Sequence, residues 1–154
     1  MRGEKHLSSP ALCVAVLLTL ILPVFTGSAS PDAMPFQILS VKIRDESGNV
    51  ITQTIRGRFI FVDVLIKNVE VYGSRSFLLL ASLRYGSPVR QLGLSGYKGS
   101  LAGGEQANPT PGFQIPADGP TGAYVIKVMV FSDWVALGGI VVAEPVEVSI
   151  SVTG

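Results

Sequence analysis

The chain has 154 residues, 47% hydrophobic and 15% charged, with 12 basic and 11 acidic side chains. That balance offers no basic field to gather nucleic acid, and the apolar content excludes a disordered chain. One cysteine cannot build an internal disulfide framework, one histidine leaves little imidazole chemistry, and the length suits one domain.

The first thirty residues differ from the rest. Arg2 and Lys5 give a short positive start, and Ala11 to Phe25 is apolar apart from Thr19 and Pro23. The run falls short of the roughly 20 residues that span a bilayer. It suits the helical core of a signal peptide, with Gly27-Ser28-Ala29 as the small residues at the cleavage point. The expected division is a signal peptide over 1–29, an extended lead-in over 30–35 and one β domain over 36–154. An uncleaved leader would be the only attachment to a membrane. Cleavage removes Cys13 and His6, and also Arg2, Lys5 and Glu4, which leaves ten basic and ten acidic residues. A secreted or cell-surface location follows.

From Phe36 onward the hydrophobic period is mostly two, the period of a strand. Leu39, Val41 and Ile43 alternate with polar neighbours over Phe36–Arg44, and Asp45-Glu46-Ser47-Gly48-Asn49 reads as a turn. Val50–Ile55 resumes a strand. Arg58–Lys67 is the strongest β run, with Ile60, Val62, Val64 and Ile66 on one face. Ser76–Tyr85 is apolar on both faces, which predicts a central position in a sheet. Val89–Leu94 reads as a short strand, and Ser95–Pro111, dense in glycine and polar residues, as the loosest segment. Gly112–Ile115 pairs briefly before the Pro116–Pro120 turn. Gly122–Ser132 is a long strand with Tyr124, Ile126, Val128 and Val130 on one face, and Pro145–Thr153 closes the chain with Val146, Val148, Ile150 and Val152 inward.

Seven to eight short strands without a convincing helix predict an all-β fold. A single antiparallel sandwich is expected ahead of a barrel. Gly57–Asn68, Pro120–Val128 and Pro145–Val152 together resemble the strand pattern of immunoglobulin-like and fibronectin-type-III-like modules on prokaryotic, especially archaeal, cell surfaces. The resemblance implies a scaffold or adhesion role and transfers no catalytic residue. The paired cysteines of the antibody fold are missing, and Trp134 follows a late strand.

The mature chain has neither histidine nor cysteine, so the usual nucleophilic triads and the zinc, haem and iron–sulfur ligands are gone. Ser95 in Leu92–Gly96 has no conventional base and reads as a turn residue. Paired carboxylates could hydrolyse a glycoside without histidine, but the acids fall mostly in turns and on polar faces. Calcium is the more credible ion, with Asp45–Asn49 as the local candidate; it lacks the full loop spacing, and a hairpin turn explains it. No cofactor is expected.

Two features point to partners. Asp133–Ala143 is an unusually apolar connection, either a covered crossover or an exposed patch in which Trp134, Val135, Leu137, Ile140 and Val141 dock another subunit. The extended start, with Met34 and Phe36 as anchors, either leads into the first strand or adds a strand to an open sheet of a neighbour. The expected function is a non-enzymatic structural or interaction module of a cell-envelope assembly. Its partners would be other extracellular proteins or further copies of itself, without nucleic acid. A small module binding carbohydrate or protein, with Trp134, Tyr72 or Tyr97 stacking on sugar, is the alternative.

Overall fold

The computed structural model describes residues 34–154. The expected signal peptide and the first part of the lead-in lie outside the described residues. Nine strands follow in order: β1 (Phe36–Arg44), β2 (Gln53–Ile55), β3 (Phe59–Asn68), β4 (Ser74–Tyr85), β5 (Arg90–Ala102), β6 (Gln106–Ala107), β7 (Gly112–Gln114), β8 (Gly122–Phe131) and β9 (Val146–Thr153).

The alternating runs form strands because one side of each can be buried whole. Ile60, Val62, Val64 and Ile66 of β3 are fully inaccessible to solvent, as are Tyr124, Ile126, Val128 and Val130 of β8. Burying each such side chain is worth about 1.5–3 kcal/mol. β-branched residues also suit a pleated surface. Both strands contribute to one core, joined by Phe77, Leu79, Ala81 and Leu83 from β4 and by Ile150 and Val152 from β9.

Two sheets enclose that core. In the first, β1 and β3 run antiparallel, and β6 and then β7 occupy the other side of β3. Between those short strands lie Pro109 and Pro111, which have no N–H to give. Their carbonyls accept the Val64 and Val62 N–H groups at 3.0 and 2.8 Å, so β3 stays bonded along its length. The second sheet has the order β2-β9-β8-β4-β5. The chain leaves the first sheet after β1, turns at Asp45–Asn49 and enters the second as β2, parallel to β9. Among the described strands, that pair is the one departure from an antiparallel arrangement.

Three local expectations are corrected. In β1 the register shifts between Ile38 and Ser40, so Leu39 is the extra residue of a bulge and lies 41% exposed, while Phe36 and Ile43 point inward. Of Val50–Ile55 only Gln53–Ile55 is strand, with Val50 held to Arg44 by a single bridge. Val89–Leu94, read as a short strand, and the first part of Ser95–Pro111, read as loose, form one strand, β5, paired with β4 from Ser74–Ala102 to Tyr85–Arg90, and the chain turns at Gly103-Gly104 after it. Its glycines misled: a Cβ on Gly93 would crowd the Phe113 ring, one on Gly96 a Leu80 methyl, and one on Gly99 the Phe77 ring. The neighbouring side chains fill that space.

Candidate interaction surface

The apolar connection after β8 is a built loop. Trp134 accepts backbone bonds from Leu137 at 2.8 Å and Gly139 at 3.0 Å, which closes a single 3-10 turn over Val135–Leu137. Gly138 follows at φ 86°, the left-handed conformation that suits glycine. Gly139 passes so close to Asp133 that a Cβ there would overlap its carbonyl oxygen. At the loop's base, Ser132 Oγ accepts the Ile140 N–H at 3.1 Å. Asp133 Oδ1 accepts Lys98 Nζ at 2.8 Å and the Trp134 N–H at 2.9 Å. Those bonds, the lysine's first, hold the Asp133 carboxyl below its ordinary value.

The loop displays what a core would normally hide. Trp134 is 47% exposed, Val135 60%, Leu137 73%, Ile140 67% and Val141 41%, and no residue of the turn itself is buried. The apolar side chains from Trp134 to Val141 are thus exposed, while Val142 and Ala143 at the end of the segment are covered in the core.

The patch continues onto the outer face of the second sheet. Val141 bridges Phe131 of β8, which lies beside Leu78 of β4, which in turn lies beside Lys98 of β5. The next row holds Met129 and Leu80. Leu78 and Leu80 point away from the core, yet they are only 2% and 9% exposed. The Lys98 side chain reaches across toward Asp133 in the row of Leu78, and Leu80 packs into the notch over Gly96. Beyond them Glu147 receives Arg84 at 2.9 Å and Lys127 at 3.5 Å, which bounds the stripe with charge. The sequence pattern marked β4 as apolar on both faces, but not which neighbours would share its outer face.

The other candidate residues do not join this surface. Met34 is exposed, but Phe36 is 3% exposed, with its ring against Phe77 at 5.3 Å between centroids. Its N–H donates to Val142 O at 3.1 Å, and Pro35 O accepts the Val69 N–H at 2.9 Å. Phe36 is therefore a core residue and not a free anchor, because the chain is bonded into its own sandwich from Pro35 onward. A groove of about 440 Å³ lies beside this start, lined by Met34, Gln37, Ile38, Glu144 and Val146. Tyr72, Tyr97 and Trp134 sit on three separate segments.

The calcium candidate is a hairpin turn. Asp45 Oδ1 accepts the Ser47 and Asn49 N–H groups at 2.9 and 2.8 Å, and Oδ2 accepts Asn49 Nδ2 at 3.1 Å. Both oxygens are thereby engaged, chiefly by Asn49, and the carboxyl is held below its usual value. Among the described residues no three acidic, histidine or cysteine side chains gather as a metal site. Glu46 lies 3.7 Å from Arg58, Glu70 takes both ends of Arg75 at 2.8 Å, and Asp63 pairs with Arg44. Ser95 stands in mid-β5 opposite Ala81.

Sequence reasoning also missed the role of Tyr124. Its hydroxyl donates to Pro120 O, four residues upstream, at 2.8 Å. This is the tyrosine corner of immunoglobulin-like sandwiches, and Ile126 stands two residues on, where antibody domains carry the second cysteine.

No protein-family model and no curated protein sequence matches the chain. Solved structures do. The C-terminal domain of wzt aligns with a TM-score of 0.62 at 10% identity, over 78% of this chain and 74% of that one. The CARDB domain of the PF1109 protein from Pyrococcus furiosus, solved with di-metal ions, aligns with a TM-score of 0.50 at 15% identity over 74% and 86%. A beta-glucosidase from Listeria innocua aligns with a TM-score of 0.51 at 17% identity over 77% of this chain. The chain spans 16% of that enzyme, and 17% of a Bacteroides fragilis structure assigned as a beta-galactosidase. At these identities the likeness shows the fold alone, and the fold is an immunoglobulin-like β-sandwich.

Proposed function

We propose that this chain is an exported, non-enzymatic sandwich that works by contact, as a structural or interaction module of a cell-envelope assembly. Export rests on the sequence of residues 1–29. The observation that carries the contact role is the loop from Ser132 to Val141, which uses two glycines and a set of hydrogen bonds to hold Trp134, Val135, Leu137 and Ile140 in solvent. An apolar cluster of that kind, continuous with Phe131 and rimmed by charge, is the composition of a docking surface. Its partners under this reading are other envelope proteins or further copies of the chain. The test is intact mass and light scattering of the exported protein, beside a V135D/L137D variant. A mature chain beginning near Ser30 whose association is weakened in the variant supports the reading; an uncut chain, or association unchanged in the variant, overturns it.

A small ligand-binding module is the second reading, favoured by one cleft. A recess of about 350 Å³ lies between the Asp45–Asn49 turn and the starts of β2 and β3, lined by Glu46, Gln53, Thr54, Arg58 and Phe59 among others. Mixed hydrogen-bonding groups beside an aromatic ring suit a polar ligand such as a sugar. Titration with soluble glycans, read by protein NMR shifts of Gln53 and Phe59, separates this reading from the first.

A further inference from the structure

β5 forms the free edge of the second sheet, and the direction of its unpaired groups follows from the ladder. Gly103 N–H donates to Gly73 O at 2.8 Å, beside the Ser74–Ala102 pair. In an antiparallel ladder that bond marks Ser74–Ala102 as a pair that exchanges no bonds. Ala102 and every second residue before it, namely Ser100, Lys98, Gly96 and Leu94, thus turn N–H and C=O away from β4. Ala102 directs both groups at Glu105, at 2.8 and 3.0 Å. Among the described residues, the main-chain groups of Leu94, Gly96, Lys98 and Ser100 have no partner, and all four residues are exposed. They form an open template about 20 Å long.

We infer that a second copy of this chain pairs with this edge, β5 against β5 in antiparallel fashion, so that the two second sheets become one. The inference rests on the assembly reading above and names its partner. The strand is self-complementary in one register. With the two-fold axis on Tyr97, Leu94 faces Ser100 and Gly96 faces Lys98, and each of the four open residues exchanges both its bonds. Every open residue is then used, and no like charges stand directly opposite each other. The Lys98 ammonium is drawn off the edge by Asp133 at 2.8 Å, so it does not block approach. Tyr97, 45% exposed with its ring leaning on Phe77, meets its own symmetry mate on the inner side. The β6–β7 edge of the first sheet carries Pro109 and Pro111 as natural blocks; β5 contains no proline.

The test uses the full chain carrying Cys13→Ser. Tyr97→Cys places two thiols on the axis, where opposed Cα atoms lie about 4.5 Å apart, within disulfide range. Val71→Cys, on a 75% exposed residue outside β5, is the control. Mild oxidation is expected to cross-link Y97C at least about tenfold faster than the control. In unlabelled wild type, Leu94→Pro removes an edge N–H without touching the internal ladder, and is expected to raise the dimer dissociation constant at least about tenfold. Should L94P fold poorly, hydrogen exchange on the wild type serves instead: the amides of Leu94, Gly96, Lys98 and Ser100 slow as concentration rises. Association that persists while Y97C cross-links no faster than V71C and those four amides stay fast overturns the edge and leaves the assembly reading intact. A wild-type protein that is monomeric at every concentration overturns the edge pairing and removes self-association from the assembly reading.

Discussion

Asn68 reaches from one sheet to the other: its Nδ2 donates to the Leu101 carbonyl oxygen at 3.0 Å, and the residue is wholly buried. Its remaining groups are also satisfied. Oδ1 accepts the Glu70 N–H at 3.0 Å, its own N–H donates to Glu105 O, and its C=O accepts the Gly104 N–H. One side chain thus fixes the end of β3 against the end of β5. Asn68→Ala strips two of these bonds at a buried site and is expected to cost about 1–3 kcal/mol. Urea unfolding measures it, and an unchanged midpoint would count against the role.

Tyr124 makes the corresponding corner at the other end. Tyr124→Phe removes the bond to Pro120 and is expected to cost about 1 kcal/mol. Burial, with Tyr85 as a secondary cause, raises the Tyr124 phenol above its ordinary value of 10.0. A raised folded value means that the unfolded chain loses the proton first, so stability is complete below about pH 10 and falls as pH rises past it. Unfolding midpoints from pH 9 to 11.5 should decline in the wild type and decline less in Y124F.

At the acid end the sign reverses. Asp45, Glu70 and Asp133 are held below their ordinary values, chiefly by Asn49, Arg75 and Lys98 respectively. Depressed folded values give stability that is present above the unfolded values, near pH 4, and is lost as pH falls through the folded ones. Residues 34–154 contain no histidine or cysteine. The melting temperature should therefore be level from about pH 5 to 8 and drop below about pH 4; a step near pH 6.5 would contradict this.

Core and bulge should respond differently to the same truncation. Ile126→Ala empties space in the centre of the sandwich and is expected to cost about 2–5 kcal/mol. Leu39→Ala acts on an exposed bulge residue and should stay within about 0.5 kcal/mol. Denaturant titration of the pair is the check, and equal losses would place Leu39 in the core.

That contrast marks how much of the fold could be read from residue order. Period-two patterns located β3, β8 and β9 with the correct inward faces, because their inward sides are almost all β-branched or aromatic. They failed at Leu39, where one inserted residue inverts the phase, and at β5, an edge strand with little apolar surface of its own. The patch from Trp134 to Val141 was legible as a run of apolar residues with two glycines. Its exposure was not, since burial depends on which segments return to cover a loop. Phe36 went the other way: its place against Phe77 is decided by the partner strand.

The loop should be sensitive to a single methyl group. Gly139→Ala drives a Cβ into the Asp133 carbonyl and is expected to reopen the turn. Trp134 emission should shift while the global unfolding midpoint moves by about 1 kcal/mol or less, since the turn buries none of its residues. Unchanged emission would mean that the loop tolerates the methyl group and is not built as described.

The most direct test of the contact role is sedimentation velocity of the exported protein over a concentration series, wild type beside V135D/L137D. The expected result is a wild-type species that grows with concentration beyond the β5-paired dimer and falls back to that dimer when the patch is charged. A wild type that sediments as a single chain throughout, indistinguishable from the variant, would contradict it.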